Sequence, residues 1–173
     1  RMLGAIKDGL TGGGISGTST VTQQLARNVF LPEEKSERTL SRKITEAYYT
    51  IVLEKKLSKE QIMEAYLNTI YLGFNSYGIQ AASQAYFSKD VKDLDTLECA
   101  ALAALPQAPD SYALVYADYG NSGSSLPQLS TSGSATYFYN GDISKDRREL
   151  VLNNMESFGF ITSEQHTEAL NDD

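Results

Sequence analysis

The feature that most restricts the fold is the stretch "SERTLSRKITEAYYTIVLEKKLSKEQIMEAYLNTIYLG", residues 36–73, in which apolar side chains recur every three or four positions. Leu40, Ile44, Ala47, Ile51 and either Val52 or Leu53 fall on one stripe of a long amphipathic helix, with Ser36 as its N-cap. Such a stripe ordinarily faces a core. Ser58 and Gln61 then form a capping box for a second helix, in which Ile62, Tyr66, Leu67 and Ile70 recur helically and Gly73 closes the C-terminus. No internal repeat and no alternating βα pattern occurs elsewhere, so an all-α, mainly helical domain is the economical expectation.

The remaining chain continues the pattern with one interruption. "SYGIQAASQAYF" and "DTLECAALAAL" read as two more helices, the latter opened by Asp95 with Glu98 three residues on and stopped before Pro106. Its small residues imply close helix packing, and Cys99 within it is expected to be a buried thiol. Residues 119–142 are a Gly/Ser-rich insertion, expected to lie on the surface with a short hairpin. "RRELVLNNMESFGF" resumes a helix ending at Gly159, and a last helix begins near Ser163.

At 173 residues, 41% hydrophobic and 21% charged, the chain has ordinary globular composition and enough length for a real core. A single cysteine excludes a disulfide framework and a cysteine metal site. No apolar run approaches the roughly 18 residues of a membrane span, and the chain opens on Arg1 without a secretory segment, so it reads as a piece of a longer one. The net charge of −7 conceals an asymmetry: residues 1–60 hold ten Lys/Arg against seven Asp/Glu, and residues 61–173 hold five against fifteen. Cations confined to the first third suit an anionic ligand or a membrane surface and disfavour nucleic acid, whose domains are basic as a whole.

Several chemistries drop out. In "GGGISGTS", Gly12 and Gly17 have phosphate-loop spacing, but Thr18 stands where that loop needs lysine. No Ser has Lys three residues later, and the only histidine, His166, sits in the acidic C-terminal part, where it reads as a solvated surface residue. What remains is polar and cationic. In "GTSTVTQQLARN", Thr20, Gln23, Gln24 and Arg27 share one side at i, i+3, i+4 and i+7; in "ERTLSRKITE", Arg38, Arg42 and Glu46 step along another, beside Lys43. An isolated Arg42–Glu46 pair would be a wet helix face contributing about 0.3–0.5 kcal/mol. Two such faces a short loop apart offer guanidinium forks and amides, the groups that bind phosphate oxygens and sugar hydroxyls, so a diphosphate-sugar ligand would satisfy both.

In order and spacing, these two segments, followed by "EAYYTIVLEKKLSKEQIMEAYLNTIYLG" and "YGIQAASQAYF", resemble motifs two to five of the peptidoglycan glycosyltransferases, family 51. The resemblance covers roughly residues 1–117 and resumes weakly at "RRELVLNNMESFGFIT". It implies a lysozyme-like helical fold that polymerises lipid II, an acceptor 4-hydroxyl attacking C1 of the donor sugar with inversion and loss of lipid diphosphate. Carried over position by position, Ser19, Thr20, Gln23, Gln24 and Arg27 would line the donor diphosphate and sugar. Arg38, Arg42 and Lys43 would hold diphosphate, and Glu46 would be the catalytic carboxylate that assists its departure, directly or through a divalent cation, Mg or Mn. Glu64, Asn68, Tyr71 and Gly73 match the fourth motif and read as scaffold, with Glu64 in a structural hydrogen bond; Tyr86 and Phe87 match the fifth and read as core.

The family's first motif, which supplies the base for the acceptor hydroxyl, has no match and is expected upstream of Arg1, so residues 1–173 alone are expected to have little activity. The implied setting is the outer face of a bacterial membrane, reached through an anchor outside these residues, with lipid II, the growing glycan strand and the membrane surface as partners, and a parent chain compatible with a transpeptidase domain. Two alternatives stand beside this one: a non-catalytic lipid-diphosphate or glycan-binding module of the same fold, and a glycan-cleaving lysozyme-like relative.

Overall fold

The computed structural model describes residues 19–33, 39–120 and 124–171, so Ser36 and Arg38 lie outside the described residues, as do Gly12, Gly17 and Thr18. The chain divides into two compact units, Arg1–Tyr66 and Leu67–Asp173.

In the first unit, α1 (Val21–Phe30) and α2 (Leu40–Lys56) pack on each other, and α3 (Lys59–Thr69) begins. Helix α1 opens on a capping box: the Thr20 hydroxyl accepts from the Gln23 N–H at 3.2 Å and the Gln23 amide oxygen accepts from the Thr20 N–H at 2.9 Å. Helix α2 is capped by the Thr39 hydroxyl, which accepts from the Arg42 N–H at 3.2 Å. The Ser58–Gln61 box before α3 forms as expected, with bonds of 2.9 and 3.2 Å. Stacked rings of Phe30 and Tyr49, with centroids 4.4 Å apart, pin the C-terminal end of α1 to α2.

Helix α2 is turned the other way from its periodicity. Leu40, Ile44 and Ile51 of the apolar stripe are exposed, together with Tyr48, whereas Arg42, Glu46 and Thr50 are buried. The inward side is tolerable because its polar groups satisfy one another. Glu46 takes two cations, and the Thr50 hydroxyl donates to the Glu46 carbonyl at 2.7 Å, so burial leaves no carboxylate unpaired.

The second unit is built on α4 (Ile79–Phe87), α5 (Thr96–Ala104), the short α6 (Pro109–Tyr112), α7 (Gly141–Ser157) and α8 (Ser163–Asn171). Ala100, Leu152 and Ala169 form its buried core, with Leu97, Val151, Met155 and Ile161 packed against them. The alanines of α5 let α7 approach closely, as the small-residue run implies, and Cys99 falls on the opposite, exposed side instead of being buried. The expected Asp95–Glu98 capping box is present, with bonds of 2.8 and 3.0 Å. Replacing Asp95 by alanine is expected to lower stability by about 1 kcal/mol, seen as a fall of roughly 2–4 °C in a thermal melt.

The Gly/Ser-rich stretch adds a small sheet to this helical frame. Strands β1 (Val115–Asp118), β2 (Gln128–Ser132) and β3 (Ala135–Tyr139) are antiparallel in the order β1–β3–β2, with Ala117 opposite Tyr137 and Ser132 opposite Ala135. The β2–β3 hairpin was expected and β1 was not, because β1 precedes the stretch whose composition marks it. Helix α7 follows at once, beginning at Gly141, ahead of the arginines that mark it in the sequence. His166 is not a solvated residue: its side chain is 14% exposed and its Nδ1 lies 3.1 Å from Glu156.

After α3 the chain makes an unusual turn. Gly73, Phe74 and Asn75 all have positive φ, at 78°, 47° and 56°, and the turn is closed by the Ser76 N–H donating to the Gly73 carbonyl at 2.9 Å. Among the described residues, no helix is long and apolar enough to cross a membrane.

Candidate active site

The sequence places its chemistry on two helices of the first unit, and the geometry sorts those residues into distinct jobs. Glu46 is the centre. Only 1% exposed, it accepts from Arg42 Nη1 at 2.6 Å on one carboxylate oxygen and from Lys43 Nζ at 3.0 Å on the other. The i, i+4 and i, i+3 spacings on α2 make both contacts local, and burial makes them stronger than the same pairs in water. Arg42 is itself 5% exposed, so this is a buried ion cluster and not a wet face.

Lys43 carries the cluster across to α1. Its ammonium also donates to the Ser19 hydroxyl at 3.3 Å, just ahead of the α1 cap. Thr20 and Gln23 spend their side chains on each other's backbone in the capping box, which answers why the first turn of this helix is polar: two of the four residues close its own end. Gln24 is held differently, its amide oxygen accepting from the Tyr66 hydroxyl at 3.2 Å. Burial raises the Tyr66 pKa above the ordinary tyrosine value, and the nearby Arg27 cation pulls the other way.

Arg27 is the cation with capacity to spare. It is half-buried, and its Nε–H is buried with no hydrogen-bond partner among the described residues; the Asn28 side-chain oxygen beside it is in the same condition. Buried polar atoms in this state are uncommon and call for a reason.

The residues of the fourth and fifth motifs, Glu64 aside, make contacts of their own. Glu64 is exposed and makes no hydrogen bond or ion pair among the described residues, in place of the structural bond expected of it. In the second unit, Asn68 is exposed and its backbone lies under Gly78, while Tyr71 donates to Asp110 at 2.6 Å and that bond raises its pKa. Tyr86 is half-buried, its hydroxyl donating to the Leu72 carbonyl at 3.0 Å. Residue-by-residue reading missed Tyr66, Thr39 and Asp110. The first and last act on partners 42 and 39 residues away, a separation that carries no local signal.

As for the divalent cation, among the described residues no three His, Cys, Asp or Glu side chains converge. Both oxygens of Glu46 already accept from cations, so this donor set does not by itself form a cage for Mg or Mn.

Comparison with known proteins agrees with the motif reading. A family model described as Transglycosylase matches residues 1–156. Penicillin-binding protein 1A of Streptococcus oralis is 37% identical over 172 residues, covering 99% of this chain and 23% of its own length. Penicillin-binding protein 1A of Aquifex aeolicus is 44% identical over 157 residues, covering 91% of this chain and 18% of its own. A crystal structure of Penicillin-Binding Protein 1A from Haemophilus influenzae aligns with a TM-score of 0.44 at 25% identity, over 88% of this chain and 15% of that one. The chain thus spans about a fifth of the length of the curated relatives it matches. With a family model spanning most of its residues, the chain belongs to the transglycosylase family, and the relatives named above are penicillin-binding proteins 1A.

Proposed function

We propose that this chain carries the leaving-group side of glycan polymerisation from lipid II, and that the Glu46 cluster together with Arg27 forms the diphosphate site. In that reaction the acceptor 4-hydroxyl oxygen bonds to C1 of the donor sugar and its proton passes to a base. The C1–O bond to the diphosphate breaks, the electron pair leaving with the oxygen and the configuration at C1 inverting. Negative charge then grows on the diphosphate, and fixed cations in a site with little water stabilise it most.

The observation that carries this reading is the buried carboxylate of Glu46 holding a guanidinium and an ammonium in fixed positions, one of which bridges to the mouth of α1. In this arrangement Glu46 is a positioning residue: it sets Arg42 and Lys43, and they meet the phosphates. Arg27 supplies a further fork whose Nε–H is unmatched. The base for the acceptor hydroxyl lies outside the four motifs matched here. By the same reading the parent chain works at the outer face of a bacterial membrane, with lipid II and the glycan strand as substrates.

Arg27 provides the test, because it is not part of the buried ion pair. Arg27→Ala is expected to weaken lipid II binding by about 1.5–3 kcal/mol, the size of a charge-assisted contact, in a calorimetric titration. Unchanged affinity would return α1 to a purely structural role.

A further inference from the structure

The second unit holds a cavity of about 410 Å³, within the roughly 300–1,000 Å³ of small-molecule sites, that the diphosphate chemistry does not use. Five of its lining residues are aromatic: Tyr71 and Phe74 from the turn after α3, Tyr116 and Tyr119 at β1, and Tyr137 on β3; Asp110 of α6 lines it as well. We propose that this cavity is a saccharide subsite that takes a neutral pyranose unit of a glycan strand.

Three observations support it. First, the rings have free faces. Tyr119 is 71% and Tyr116 45% exposed, although both belong to a cavity wall, and pyranose C–H groups pack on such faces. Secondly, the wall is braced. Phe74 meets Tyr137 edge-on at 5.9 Å and lies 6.0 Å from Tyr86, while the Tyr71 hydroxyl donates to one oxygen of Asp110 at 2.6 Å and receives the Asn75 backbone N–H. Thirdly, Phe74 and Asn75 both line the cavity in left-handed backbone conformations, which asparagine adopts readily but which cost a bulky residue such as Phe74 about 1–2 kcal/mol and collect at binding sites.

The polar groups select the ligand class. An aromatic box with a carboxylate also suits an organic cation, but an ammonium only donates. Here tyrosine hydroxyls and the Asn75 amide offer donors and acceptors beside Asp110, and sugar hydroxyls use both. The site is formed jointly by the fourth-motif turn and the inserted sheet, so it belongs to this chain's own elaboration. The proposal rests on the glycan reading above only for the choice of oligosaccharide.

The test is a calorimetric titration of the full chain with N-acetylchitotetraose. Saturable binding is expected, weakened about tenfold or more in Tyr116→Ala/Tyr119→Ala and retained in Tyr116→Phe/Tyr119→Phe, which keeps the rings. The single Tyr119→Ala, at an exposed position outside the strands, repeats the loss in smaller measure if the double variant fails to fold. Leu129→Ala, at an exposed position outside the cavity, should bind as the parent does. No binding by the parent overturns the inference. So does binding lost in Glu46→Gln and kept in the tyrosine variants, which would place the sugar at the diphosphate site and leave the proposed function standing. Tetramethylammonium binding in place of the oligosaccharide would make the cavity a cation cage and equally overturn it.

Discussion

Replacing Glu46 by glutamine is expected to lower lipid II polymerisation about 10²–10³-fold, in a chain extended to include the acceptor base, while the Michaelis constant changes far less. Glutamine keeps the size of the side chain and loses the charge that holds Arg42 and Lys43, so the cations remain present and lose their set positions. Misplacement of a transition-state contact by about 1 Å can cost 10²-fold by itself. Alanine adds a second effect. It breaks the buried pair with Arg42, which is 5% exposed, with an expected loss of about 3–5 kcal/mol in folding stability. Single-turnover rates alongside urea melts separate the two. If Glu46→Gln polymerises at the parental rate, the cluster is structural and the diphosphate site lies elsewhere.

The second large effect belongs to Gly73. At φ 78° an alanine there pays left-handed strain of about 1–2 kcal/mol, and its Cβ would sit 2.5 Å from the Pro109 carbonyl oxygen and 2.9 Å from the Tyr86 hydroxyl. The Pro109 oxygen is backbone and cannot swing away. Overpacking of this kind adds about 1–3 kcal/mol, so Gly73→Ala is expected to lose about 2–5 kcal/mol, a drop in melting temperature on the order of 10 °C. Gly133 is the control. It has φ 60° with nothing within 4 Å of an added Cβ, so its alanine variant bears the strain alone. Equal melting temperatures for the two variants would mean that the close approach at Gly73 relaxes without cost.

These two positions show which parts of the molecule are legible in its sequence. The Ser58–Gln61 and Asp95–Glu98 boxes are legible because each is closed by residues three apart, where geometry follows from spacing. The Arg42–Glu46 contact is legible for the same reason. The direction that pair faces is not. Periodicity identifies a helix with two unlike sides, and the assumption that the apolar side turns inward fails on α2, where a satisfied ion cluster takes the buried place. The Thr20–Gln23 box has the same spacing as the others, yet in a glutamine-rich motif that resembles a substrate site its capping role is masked by the ligand reading. Strand β1 and the Tyr71–Asp110 bond depend on partners distant in the chain, and neither composition nor spacing carries them.

The outward turn of α2 reverses the usual pattern of mutational tolerance along one helix. At Ile44 and Tyr48, both 63% exposed, exchange for lysine or glutamate removes little packing, and surface changes of this kind usually stay within about 0.5 kcal/mol. At Arg42, Glu46 and Thr50, all buried, even a conservative exchange such as Arg42→Lys gives up a fork that ammonium cannot reproduce. Drift in this helix is therefore free at Ile44 and Tyr48 and frozen at Arg42 and Glu46, so a hydrophobicity profile ranks these four positions in the opposite order to their constraint.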